Sequence, residues 1–114
     1  MNLRVASEIE RGRAVLTLNG ELDLATVPEA ETALMRLEHD PNTATIVLDL
    51  RRLAFMDSTG LRFVLAADAR ASSSERRLVI VRGPQRVDRV FRLARLEDRL
   101  EFADTADAIG GLDA

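Results

Sequence analysis

The sequence predicts an α/β fold: a mixed β-sheet that opens with an N-terminal hairpin and continues by alternating helix and strand. Three features carry that expectation. Two short segments with apolar residues at alternate positions flank a turn at Glu10–Arg13. Two β-branched runs, Thr45–Leu50 and Leu78–Val81, are almost continuously apolar, as strands buried on both faces are. Stretches of helical periodicity separate those runs. At 114 residues the chain has the size of one domain, so residues 1–114 are read as a single unit around one core.

Each element has its own signal. Leu3, Val5, Ser7 and Ile9 form a weakly apolar alternation that reads as the first strand, and Ala14–Leu18 reads as the second, continued or bent by Asn19–Asp23. Thr26-Val27-Pro28-Glu29 is a helix start, with a capping hydroxyl, Pro in the first turn and Glu three places on. That helix should run to about His39 and bury Ala30, Ala33, Leu34 and Leu37, with Asp40-Pro41-Asn42 as its stop. Thr45–Leu50 is a central strand. After Arg51–Met56 and the polar Asp57–Gly60, a second helix is expected from about Leu61 to Ala71, closed by Ser72–Glu75. Leu78–Val81 is the next strand, and Gly83-Pro84 opens a third helix through about Leu96. Leu100–Phe102 is a short last strand, and Asp104–Asp107 caps a terminal helix ending at Gly110-Gly111. The count is about four helices on a sheet whose later strands are mostly parallel.

Composition removes several chemistries. The 16 basic residues are all Arg, against 19 acidic ones, for a net charge of -3. Without Lys there is no Walker-type phosphate loop or Schiff-base lysine. Without Cys there is no thiolate nucleophile or cysteine zinc site, and His39 alone makes no metal cluster. No cofactor is expected. The acidic balance argues against nucleic acid and anionic membrane as partners. No signal-peptide pattern and no apolar run near the length of a membrane span is present, so the expected compartment is the cytoplasm.

The informative segment is Asp57-Ser58-Thr59-Gly60, small and polar between an apolar stretch and a helix. Its plain reading is capping by Asp57 or Ser58. Two details ask for more. Leu61 stands where a capping box from Ser58 would have Glu or Gln. Gly60 gives up about 1 kcal/mol of helix propensity against Ala, which fits a close approach of another group to the backbone. On the following helix, Leu61, Val64, Leu65 and Ala71 share one side, and Arg62, Phe63, Ala66 and Arg70 the other. Phe63 then either lies exposed beside Arg as a protein-binding hot spot, or packs under the neighbouring helix. A hydrolase elbow at Ser58 is disfavoured: Met56 stands at its leading Gly, and His39 is the sole candidate base.

Val15–Asp23, Ile46–Leu50 and Phe55–Leu61 together resemble the STAS domain of bacterial anti-sigma factor antagonists, in the right order and over nearly the whole chain. Asp57-Ser58-Thr59-Gly60-Leu61 is the most specific part. One departure is Arg95, before Leu96, where family members commonly carry Gly; it puts the end of the third helix in question. The resemblance implies a STAS-like domain that is not an enzyme but the substrate of one. The unmodified protein would bind an anti-sigma factor that is a serine kinase and so release the sigma factor. Phosphorylation of Ser58 would end that binding, and a PP2C-type phosphatase would restore it. ATP and magnesium would belong to the kinase. Thr59 is a secondary acceptor. Asp23, Thr26, Asp57, Ser58, Thr59, Gly60, Arg62 and Phe63 would form the partner surface, on a protein expected to be a monomer.

Three rivals remain at this stage. STAS domains also occur as small subunits docked on the ATPase of lipid-transport ABC systems, through the same Ser–Gly helix start. A nucleotide-binding module would hold phosphates at the first turn of the Ser58 helix, with Arg51 or Arg52 as counter-charges. Arg86, Arg89, Arg92 and Arg95 could form a nucleic-acid stripe, although Asp88, Glu97 and Asp98 interrupt it.

Overall fold

In a computed structural model, which describes residues 3–105, the chain follows the predicted alternation. Strands β1 (Leu3–Glu10) and β2 (Arg13–Leu22) form the hairpin, with Arg11 and Gly12 at φ 54° and 78° between them. Two successive positive φ angles give the twist that joins antiparallel strands through two residues. Helix α1 (Val27–Glu38), strand β3 (Thr45–Met56), helix α2 (Ser58–Ser73), strand β4 (Arg77–Val81), helix α3 (Gln85–Leu93) and strand β5 (Glu101–Ala103) follow.

The sheet runs β1-β2-β3-β4-β5, antiparallel at the hairpin and parallel from β2 onward. Each parallel neighbour is reached through one helix. All three helices bury their apolar stripes in one core: Val27, Ala30 and Leu34 of α1, Phe63, Val64 and Ala67 of α2, and Val87 and Phe91 of α3 pack with Leu16, Leu18, Leu48 and Ile80. The opposite sheet face carries a smaller cluster of Val47, Val79 and Val81. The central strands are thus buried on both faces, as their near-continuous apolar runs predict.

Where the structure departs from the sequence reading, tertiary contacts explain it. Strand β3 extends to Met56, six residues beyond the expected end, because two irregularities let it keep pairing with β2. Thr17 opposes Asp49 but Asn19 opposes Arg52, and Gly20 opposes Leu53 but Glu21 opposes Phe55, so β3 holds an extra residue at each step. These bulges bring Leu50, Leu53 and Met56 to the core at three-residue spacing. Helix α2 begins at Ser58 rather than Leu61.

Helix α3 ends at Leu93, short of the expected Leu96. Arg95 adopts φ 59°, and the Leu96 and Arg95 amides donate to the Phe91 and Arg92 carbonyls at 3.1 and 3.0 Å. That is a Schellman termination, with buried Leu96 and Phe91 as its apolar contact. Arg95 thus occupies the left-handed position that glycine takes at no steric cost. The last strand is shifted by one residue to Glu101–Ala103. Most of the terminal helix expected after Asp104 lies outside the described residues, which contain three helices.

Candidate functional site

The carboxyl ends of β2 and β3 meet where the Asp57 amide donates to the Leu22 carbonyl at 3.3 Å. Asp57 is extended, and its Oδ1 accepts the Thr59 and Gly60 amides at 2.9 and 3.1 Å. The capping reading of this segment is therefore right, and the residue that does it is Asp57. A carboxylate here also complements the positive end of the α2 dipole. The consequence falls on Ser58. It stands at the first helical position, exposed, and its hydroxyl makes no hydrogen bond to another described residue.

Gly60 is buried against β2. A Cβ there would lie 2.6 Å from Met56 Cγ and 2.8 Å from the Leu22 carbonyl oxygen. The close approach expected at this glycine is thus an approach of β2 and β3 to the helix, and it sets how α2 rolls on the sheet. With Gly60 inward, Phe63, Val64, Ala67 and Ala71 follow at helical spacing. Phe63 is 3% exposed. This corrects its placement on the partner surface: it belongs to the core, the second of the two readings, while Arg62 points outward. Thr59 is half-buried.

On the β2–α1 side, Asp23 Oδ1 accepts the Ala25 and Thr26 amides at 3.0 and 3.2 Å. The expected Thr26–Glu29 capping box does not form. The Thr26 hydroxyl instead donates to the Glu21 carbonyl at 2.7 Å and accepts the Asp23 amide at 3.0 Å. Thr26 is 6% exposed, so it braces the loop rather than bordering the partner surface as expected. Asp23 stands one residue beyond Leu22, at the carboxyl end of β2.

Two apolar residues at this end escaped the sequence reading. Leu24, at the tip of the Asp23–Thr26 loop, is 76% exposed, and Phe55, two residues before Asp57, is 41% exposed. Both lie at the carboxyl-end rim of β2 and β3, Phe55 opposite Glu21 and Leu24 two residues past Leu22. A Leu between a strand end and a helix cap was the available signal for the first. Phe55 could not be read, because the bulge beside it decides its side.

The remaining candidates fall elsewhere. Arg51 is tied to Asp49 by an Nη2–Oδ2 contact of 2.8 Å and a second bond from Nε at 3.1 Å. Burial pushes the Asp49 carboxyl up, but hydrogen bonds from the Arg51 side chain and amide, with the charges of Arg51 and Arg52, outweigh it and hold the carboxyl below its ordinary value. Arg51 is therefore committed, and Arg52 pairs across the sheet with Asn19 rather than at the helix start, which removes the counter-charges of the nucleotide reading. His39 caps the far end of α1, roughly 18 Å of helix from its start, and cannot serve Ser58 as a base. Asp88 pairs with Arg82 and Arg92, breaking the arginine stripe on α3. No helix of the described residues is long and apolar enough to cross a membrane.

A family model described as "Mlab, STAS domain" matches residues 5–102. The chain belongs to the STAS-domain family. This STAS domain is 31% identical over 98 residues to the anti-sigma-B factor antagonist of Staphylococcus aureus, covering 86% of this chain and 90% of that protein. The protein of the same name from Staphylococcus epidermidis is 29% identical over the same shares. Among solved structures it is similar to an anti-sigma factor antagonist from Mycobacterium paratuberculosis, with a TM-score of 0.84, 24% identity and coverage of 93% of this chain and 89% of that one. It also matches the anti-sigma factor antagonist SpoIIAA in its unphosphorylated form, with a TM-score of 0.75 and 24% identity over 94% and 92% of the two chains. Its family relatives are regulatory binding proteins rather than enzymes.

Proposed function

We propose that this STAS domain is an anti-sigma factor antagonist switched by phosphorylation of Ser58. The observation that carries the reading is the division of labour at the α2 start: Asp57 supplies the cap, leaving Ser58 exposed and its hydroxyl without a hydrogen bond to the other described residues. The relatives named anti-sigma-B factor antagonists support the same reading. Unmodified, the rim of Leu24, Phe55, Ser58 and Arg62 docks on an anti-sigma factor that is a serine kinase, and the sigma factor is released in the cytoplasm. In the transfer, Ser58 Oγ bonds to the γ-phosphorus of ATP as the bond to the β–γ bridging oxygen breaks. ADP leaves, and the hydroxyl proton is lost to a base of the kinase or to water. The phosphoryl group adds about -1.5 to -2 charges beside Asp57 and Asp23, and a surface fitted to a hydroxyl rejects it. A PP2C-type phosphatase resets the protein by hydrolysing the Oγ–P linkage.

The test is intact-mass spectrometry after incubation with ATP and the candidate kinase, using wild type beside Ser58→Ala. Gain of one phosphoryl group by the wild type alone, with loss of kinase binding, supports the switch. No gain with an active kinase that binds the protein overturns it, and the transporter-subunit reading, which uses the same helix start for docking, would then lead.

A further inference from the structure

Arg62 lies one helical turn after Ser58, is exposed, and makes no ion pair or hydrogen bond with the described residues. Arg70 on the same helix is paired with Glu38 of α1, and Arg92 of α3 with Asp88. Arg62 has no such partner because the residues three and four places from it on its own helix are Ser58, Thr59, Leu65 and Ala66, none of them acidic. The nearest carboxylate along the chain toward the helix start is Asp57, whose Oδ1 is occupied by the Thr59 and Gly60 amides.

We infer that Arg62 is the internal receptor for the phosphoryl group placed on Ser58, an inference that rests on the switch proposed above. Positions four apart share a helix face with Cβ atoms about 5–6 Å apart. Side chains on a helix lean toward its N-terminus, so Arg62 leans toward Ser58. An anion preceding a cation by four residues is also the favourable order. The guanidinium fork matches two phosphate oxygens, which an ammonium does not. Phosphorylation therefore changes the docking surface twice: it adds a dianion at Ser58 and draws the Arg62 cation away from the partner onto that dianion. The pair also shields the phosphate, slowing its removal.

The experiment uses the full chain with phosphoserine installed at position 58 during translation, so that no kinase is required, in wild type, Arg62→Gln and Arg62→Lys. Arg62 is exposed and makes no ion pair among the described residues, so these variants keep the fold. The phosphate should raise the melting temperature of the wild type by about 4 °C more than that of Arg62→Gln, with Arg62→Lys between them. The wild type should show a phosphate-dependent shift of the Arg62 Nε–Hε resonance. Alkaline phosphatase should clear the phosphate from Arg62→Gln several-fold faster. Equal melting shifts and equal clearance in all three proteins, with an unmoved Arg62 resonance, would overturn the inference. A kinase that fails to modify Ser58 would instead overturn the switch, with the phosphoserine protein still reporting whether the pair forms.

Discussion

A methyl group on Gly60 would sit 2.8 Å from the carbonyl oxygen of Leu22, closer than any ordinary carbon–oxygen contact. That oxygen also accepts the Asp57 amide at 3.3 Å, so it cannot withdraw without loosening the start of α2. Ala at this position should gain about 1 kcal/mol of helix propensity but lose more to the clash, as overpacked cores do. Gly60→Ala should be destabilised by about 1–2 kcal/mol net in urea denaturation. Unchanged or increased stability would mean that the helix can roll away from β2, and that Gly60 does not set its seat.

Asp49 gives a pH-dependent term of known sign. Its folded carboxyl is held below the ordinary value, so its stabilisation is fully present above about pH 4, where the unfolded carboxyl is ionised. The term is lost as pH falls from there through the lower folded value. Asp49→Asn should remove this slope from the acid limb of a stability–pH curve. It should also cost about 1–2 kcal/mol at pH 7, since Arg51 loses its charged acceptor. A variant with the wild-type acid limb would refute the assignment.

Arg95 holds the left-handed conformation at the end of α3 with φ 59°. A non-glycine side chain there costs roughly 1 kcal/mol, partly offset by the extra unfolded-state freedom that Gly brings. Arg95→Gly should stabilise the fold by about 0.5 kcal/mol, read as a rise of about 2–4 °C in melting temperature. A fall would show that the Arg side chain makes a compensating contact.

Leu24 separates binding from folding. It is 76% exposed, and the loop beneath it is fixed by Asp23 and Thr26 rather than by the Leu side chain. Leu24→Ala should leave stability within about 0.5 kcal/mol, yet weaken binding to the proposed kinase partner about tenfold or more, as loss of an apolar anchor does. Titration calorimetry beside a thermal melt checks both halves. Wild-type affinity would remove Leu24 from the docking rim.

The element order, the mixed sheet, the capping character of Asp57–Gly60 and the family were all legible in the sequence. These rest on local patterns: a two-residue turn, β-branched runs, a carboxylate two residues before a free amide. The faces were not legible. The stripes Leu61–Val64–Leu65 and Phe63–Val64–Ala67 share Val64 and differ by a roll of α2, which no periodicity resolves. Packing of Gly60 on Leu22 resolved it, burying Phe63 and turning Arg62 outward. The bulges opposite Thr17–Asn19 and Gly20–Glu21 likewise decided that Phe55 reaches solvent, because register is a property of two strands. Thr26 was read as a cap since its neighbours suit one, but the Glu21 carbonyl, five residues back, claimed its hydroxyl. Short-range chemistry in the sequence thus determined which elements form, while the folded structure decided that Asp57 rather than Ser58 caps α2 and which side chains surround the Ser58 hydroxyl.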